Sequence, residues 1–324
     1  MRSTDQRNQV VAAHHFPLQL LATKMPARLI INADDFGLTP GINRAIAELH
    51  SAGALTSATL MANGPAFDDA IRIAHAQPTL GIGCHIVLTD GAPISPPETI
   101  PTLLGPDRKS FRASLTDFFA AVLIGKVSAA DIAREALAQI TRIQQQGISL
   151  THIDTHKHTH ILTRVSRPLL AVAEVADIPA VRNPFEPRWS IALGKSRILR
   201  RLQLRSLRFL QPRFLALPQI RSGRVITTNG TLGISATGHL NLTTLHAILD
   251  AMPSGVWELV CHPGYNDRDL DAVRTRLRNT RDIERAALLD AFFPLSTEQS
   301  HPPNPPGLQL INYRDAANLA ATGR

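Results

Sequence analysis

Short apolar runs alternate with amphipathic, helix-spaced stretches along most of the chain. The runs Leu29–Ala33, Leu55–Met61, Leu80–Val87, Ser149–Asp154, Ala180–Arg182, Val225–Thr228, Trp257–Cys261 and Leu308–Ile311 read as buried strands. Between them, helical patterns cover residues 41–52, 66–77, 129–146, 163–175, 242–251, 268–290 and 313–321, with start signals at Thr39-Pro40 and Ser128. This repetition predicts a parallel sheet with crossover helices, and its seven or eight units predict closure into a (β/α) barrel. An open doubly wound sheet is the alternative, but it calls for a glycine-rich phosphate loop after the first strand. The chain has Ala33-Asp34-Asp35-Phe36-Gly37 there, with two acids and one glycine, which disfavours a nucleotide site.

Residues 91–113 read as a long loop after the third strand, and 291–307, with Pro302-Pro303 and Pro305-Pro306, as a surface linker. Residues 1–28 read as a disordered tail with Met25 as an alternative start, because Phe16–Ala22 lacks the longer apolar core and cleavage site of a signal peptide. Residues 29–324 then form one domain with an insert at 185–224.

Composition narrows the class. With 44% hydrophobic residues and no apolar run near the roughly 18 that a membrane-spanning helix needs, an integral membrane protein is disfavoured. Cys84 and Cys261 are the only cysteines of the 324 residues, which excludes a disulfide-stapled module and a four-cysteine zinc site and fits the cytoplasm. The net charge is +8, yet ten Lys and Arg lie between Arg188 and Arg224 with no acid among them. Removing those ten leaves −2 for the remainder, so the chain is a near-neutral body with one basic insert, and a uniformly basic nucleic-acid binder is disfavoured.

In barrels the chemistry sits at the C-terminal ends of the strands. Asp34-Asp35 closes the first strand; alone, such a pair is more often a polar loop with a helix cap. His85 closes the third, where a lone histidine is more often a satisfied core residue. The run Thr151–His160 is denser: on a strand His152, Asp154, His156, His158 and His160 share one face, which favours a metal or proton-transfer site, but the strand must end and curl within this run, so the spacing alone leaves open which histidines bind metal. His262 stands before Pro263-Gly264 at the mouth of another strand, where a general acid meets a leaving group. Cys84 and Cys261 face away from the neighbouring histidines and read as core. Carboxylates, imidazoles and a titratable histidine at separate strand ends point to metal-assisted hydrolysis.

Ala33-Asp34-Asp35-Phe36-Gly37, Gly83-Cys84-His85-Ile86-Val87-Leu88-Thr89, His152-Ile153-Asp154-Thr155-His156-Lys157-His158-Thr159-His160 and Cys261-His262-Pro263-Gly264 stand in the order found in YdjC-like carbohydrate deacetylases. The chain resembles that family, which includes chitooligosaccharide deacetylases and the deacetylase of hopanoid biosynthesis, from about Arg28 to Asn318. The resemblance implies an irregular (β/α) barrel, related to polysaccharide deacetylases, that removes acetyl groups from N-acetylated sugars with a divalent metal. It implies Asp35, His85 and His156 as metal ligands, Asp34 as base and His262 as the proton donor to the leaving amine. Arg182, in Val181-Arg182-Asn183-Pro184, resembles an arginine that orients the base; an ordinary strand-end ion pair is the other reading. Magnesium is the family's usual ion, whereas two imidazoles suit zinc or another transition metal better.

The insert departs from the simplest members of that family. Ile191, Leu193, Ile198, Leu199, Leu202, Leu207 and Leu210 fall on one helical face with arginines around the rest. Two readings stand: a solvated lid over the substrate groove, or a peripheral contact of residues 191–214 with the inner membrane surface. The rival functions are hydrolysis of another amide or an ester, and membrane-surface or nucleic-acid binding through the insert. Only Trp189, Trp257, Tyr265 and Tyr313 stand beside eleven Phe, so a short oligosaccharide or a glycolipid headgroup fits better than a long chitin-like groove. A homodimer is compatible with the sequence.

Overall fold

The computed structural model describes residues 26–273, 275–292 and 307–323. The described strands are β1 (Ala27–Phe36), β2 (Ser57–Leu60), β3 (Gly81–Ile86), β4 (His152–Thr155), β5 (Ala180–Val181), β6 (Ile226–Thr227), β7 (Thr231–Leu232), β8 (Gly255–Cys261) and β9 (Leu308–Leu310). They form one sheet in the order β6-β5-β4-β3-β2-β1-β8-β7, and every ladder is parallel. β9 lies against the first three residues of β1, on the edge that β2 takes further along. Read as a ring, the strands follow chain order, with no ladder joining β6 to β7 among the described residues. This is an irregular, open (β/α) barrel and not the doubly wound alternative.

The strands form because their outward side chains pack under the helices. Leu29, Ile31 and Ala33 of β1 and Cys84 of β3 join Ile42, Ile46 and Ile140 in one core. Thr39 caps the helix Pro40–Ser51 by accepting from the Ile42 amide, and Ser128 caps Ala129–Gln144 through the Ala130 amide, as the start signals predict. Cys84 and Cys261 are fully buried, and burial pushes both thiols up, which suits core residues and not thiolate ligands.

Inside the ring the lining is polar. Tyr313, His152, Asn32, Glu258, Arg182, Asp154 and Asp34 are all buried. The His152 ring stacks on Tyr313 at 3.8 Å, and the Tyr313 hydroxyl donates to Glu258 at 2.5 Å.

Several expectations are corrected here. The strand ends within the run 152–160, at Thr155, one residue past the expected Asp154: Lys157 and His158 take φ of 56° and 53°, a left-handed pair that turns the chain. His156, His158 and His160 therefore do not share one strand face with His152 and Asp154. Residues 191–214 are not one helix: Gly194 ends Arg188–Leu193, a second helix runs Ile198–Leu207, and Pro212 opens the short helix Gln211–Leu215. Within the insert Ile191 is buried and Leu193, Leu207 and Leu210 are half-buried, so only part of the expected apolar face is exposed. Residues 268–290 split into short turns before the helix Arg281–Phe292. The loop 91–113 contains a turn at Pro97–Thr99, and a helix, Leu115–Leu123, follows it. β1 begins at Ala27, inside the stretch read as tail; the rest of the tail, Met25 and most of the 291–307 linker lie outside the described residues.

Candidate active site

The C-terminal ends of β1, β3, β4, β5 and β8 bring six side chains to one mouth. At the end of β1 the ladder to β2 shifts register between Ala33 and Phe36, and Asp35 takes φ of 65°. A regular strand sends adjacent side chains to opposite faces. The kink instead leaves both carboxylates at the mouth, Asp34 3% and Asp35 4% exposed.

His85 stands on β3 in register with Asp154 on β4, and Asp154 Oδ1 accepts from His85 Nδ1 at 2.7 Å. That bond fixes the imidazole so that Nε2 is the free donor atom. Nε2 lies 3.3 Å from His156 Nδ1 and 3.8 Å from Asp35 Oδ1, and His156 Nδ1 lies 3.6 Å from the same oxygen. Ligand atoms about 2.1 Å from one ion and about 100° apart stand about 3.2 Å from each other, so the triangle fits a small divalent cation. Arg281 donates to Asp35 Oδ2 at 2.6 Å and so leaves Oδ1 to the imidazoles.

The electrostatics agree. Burial disfavours a charged His85, yet the carboxylates of Asp154, Asp34 and Asp35 outweigh it and hold its pKa up at about 9. A position that draws a proton onto a buried ring is one that draws a cation. Burial likewise opposes ionised Asp35, but the Arg281 charge beside it keeps it below the usual carboxylate range. Burial pushes His156 down to about 4, which keeps its ring neutral, as a ligand must be. A second cluster, Asp34, His85 and Asp154, is also close-set. There Arg182 already supplies the positive charge, 2.6 Å from Asp34 and 2.5 Å from Asp154, so the Asp35 set is the better cation site.

Arg182 is fully buried and grips Asp34 with two bonds, Nη1 to Oδ2 at 3.0 Å and Nη2 to Oδ1 at 2.6 Å, while its Nε donates to Glu258 at 2.8 Å. Arg182 is thus ion-paired at a strand end, with three buried carboxylates around it. Asn32 and Thr59 add bonds to Asp34 Oδ1 at 3.2 and 3.3 Å. Although burial opposes it, the Arg182 charge holds Asp34 well below its ordinary pKa. His262 Nε2 lies 3.8 Å from Asp34 Oδ2, and the His262 amide donates to Glu284 at 2.6 Å.

The structure thus brings together Asp34, Asp35, His85, His156, Arg182 and His262. It leaves out two histidines of the dense run, His152 and His160. His152 Nε2 donates to Asn32 at 3.1 Å deeper in the barrel, and His160 lies between Thr155 Oγ1 and the Arg182 carbonyl at 2.6 and 3.2 Å. Sequence reasoning did not single out Arg281, Glu258 or Glu284, and it placed Asp154 in the histidine run without a role. No local pattern marks the three that were missed, because each acts on a partner at least 22 residues away.

A model of the family described as YdjC-like protein matches residues 28–297. A carbohydrate deacetylase of Geobacillus stearothermophilus is 31% identical over 295 residues, 91% of this chain and 100% of that protein. A carbohydrate deacetylase of Brevibacillus brevis is 40% identical over 158 residues, which cover 49% of this chain and 60% of that relative. Among solved structures, a candidate cellobiose-phosphate cleavage protein of Enterococcus faecalis superimposes with a TM-score of 0.68 at 27% identity, over 90% of this chain and 99% of that one.

Proposed function

The chain belongs to the YdjC-like protein family, and from that premise we propose that it is a metal-dependent carbohydrate deacetylase, a hydrolase that removes acetyl from an N-acetylated sugar. The observation that carries the proposal is the pairing, at one mouth, of the Asp35–His85–His156 triangle with an arginine-gripped carboxylate and a histidine facing it. Asp35, His85 and His156 would hold the ion, magnesium by family habit or zinc by ligand chemistry. A divalent ion there supplies acidity to a water and polarises the amide oxygen.

The remaining roles belong to the chain itself. Asp34 is ionised and fixed by Arg182, so it is a weak base whose direction is set; it accepts a proton only from an acidified water. Its Oδ2 faces His262, which donates a proton to the nitrogen as the C–N bond breaks. Arg182 orients Asp34 and keeps it charged.

The substrate is a short N-acetylated oligosaccharide or a glycolipid headgroup. All four Trp and Tyr side chains are engaged elsewhere: Trp189 packs against Trp257, Tyr265 on Glu48 and Arg285, and Tyr313 inside the barrel. None is left to build a long stacking groove. Acetate release from N-acetylglucosamine oligomers tests the reading. The intact chain is expected to release it, and Asp34→Asn to slow release by about 100- to 10,000-fold. Hydrolysis of simple acetyl esters without any release from the sugars would contradict it.

A further inference from the structure

From residue 187 to 249 the chain has no Asp or Glu, and its ten Lys and Arg all fall between Arg188 and Arg224. Within this stretch the helix Ile198–Leu207 is held to the body on one face only. Leu204 is buried with Ile191, Ile234 and Val260, and Arg201 donates to the carbonyls of Ile191 and Ala192. The other face carries Ile198, Leu199 and Leu202, exposed at 74%, 80% and 53%, and Phe209 in the turn beyond is exposed at 81%. At 3.6 residues per turn, Ile198, Leu199 and Leu202 fall on one side of the helix, away from Leu204. Lys195, Arg197, Arg200, Arg205 and Arg213 are exposed around these apolar side chains.

We propose that this ridge docks on an anionic lipid bilayer. Ile198, Leu199, Leu202 and Phe209 enter the headgroup layer, and the surrounding cations meet lipid phosphates. Charge complementarity names the occupant. A second copy would bring a ridge of the same sign, and a nucleic acid would satisfy the arginines while leaving four apolar side chains in water. The contact is peripheral, and among the described residues no helix is long and apolar enough to cross a membrane. The insert leaves the C-terminal end of β5, just beyond Arg182.

Flotation of the full chain with phosphatidylcholine vesicles, with and without phosphatidylglycerol, tests the proposal. The intact chain is expected to float with anionic vesicles at low salt, at least about tenfold less with neutral ones, and to be released near 0.5 M salt. One variant combines Arg197→Gln, Arg200→Gln and Arg205→Gln; another combines Ile198→Ser, Leu199→Ser and Phe209→Ser. All six positions are exposed, and circular dichroism checks that both variants fold. The charge variant is expected to lose about 100-fold in partitioning and the apolar variant about tenfold or more. An intact chain that stays with the sediment, or an apolar variant that floats like the intact chain, would overturn the proposal. So would tight binding of a DNA duplex by both the intact chain and the apolar variant without vesicle flotation. Asp34→Asn is expected to float normally, so docking and deacetylation fail separately.

Discussion

His85 is tied on both sides: Nδ1 donates to Asp154, and Nε2 faces Asp35 and His156. Asp154 in turn is held by Arg182 at 2.5 Å and by Thr59 at 3.2 Å, so the ring inherits its orientation from a fully buried network. Asp154→Asn keeps a hydrogen-bond acceptor but removes the charge behind the ring. It is expected to lower metal affinity by about 10- to 100-fold, measured by calorimetric titration of the metal-stripped protein. An unchanged affinity would show that the ring does not ligate through Nε2. Asp34, Asp35, His85 and His262 stood out as candidates because chemistry-bearing types sit where apolar runs end, as barrel strands do, whereas His156 was picked from its run only by the family resemblance. Arg281 did not stand out, since its bond to Asp35 joins residues 246 apart and nothing near position 281 marks it. The kink at Asp35 was hidden too: a φ of 65° on Asp has no signature beyond the Gly37 that follows.

Among the elements, β4 and the turn after it show how composition can mark a site while leaving its geometry open. The sequence required the strand to end somewhere between His152 and His160 without saying where, and the left-handed pair at Lys157 and His158 divides the histidines into separate duties. His156 joins the cation triangle, while His152 and His160 become neutral packing groups with hydrogen bonds. For both, burial and then the Arg182 charge disfavour the imidazolium: His152 falls well below its ordinary value and His160 falls to about 3. The folded pKa lies below the unfolded one, so the stability these rings permit is present above about pH 6.5 and lost as pH falls, when the unfolded chain takes up protons that the fold refuses. His85 has the opposite sign: its folded value, about 9, lies above the unfolded one, so its contribution is complete below about pH 6.5 and fades toward pH 9. As pH falls from 7 to 5 it adds a little stability, so it offsets only a small part of the acid loss. Urea unfolding of the metal-stripped protein is expected to show lower stability at pH 5 than at pH 7, because His152, His156, His158 and His160 are all held below their ordinary values and refuse protons that the unfolded chain takes up. A flat profile across that interval would contradict their burial as neutral rings. The two-residue strand β7 was illegible for a different reason, since Thr231–Leu232 is too short to carry a period and is defined only by its ladder to β8.

Across the whole molecule, one barrel serves two chemistries by depth. Outward side chains are apolar and pack under the helices, which is why the alternation of runs and helices was enough to reach the fold. Inward side chains form a polar column from Tyr313 through Glu258 and Arg182 to Asp34, and each member lies on a different part of the chain. Such a column is costly to bury unless every member is paired, and here the pairing aims one carboxylate at the mouth. The central claim is that Asp35, His85 and His156 bind one divalent ion while Asp34 beside them acts as base. Elemental analysis of the purified intact chain, His85→Ala, His156→Ala and Asp34→Asn tests it most directly. The account predicts about one ion per chain in the intact protein and in Asp34→Asn, and well under half an ion in the two histidine variants while circular dichroism shows a retained fold. Full occupancy in both histidine variants, or loss of the ion in Asp34→Asn alone, would contradict it.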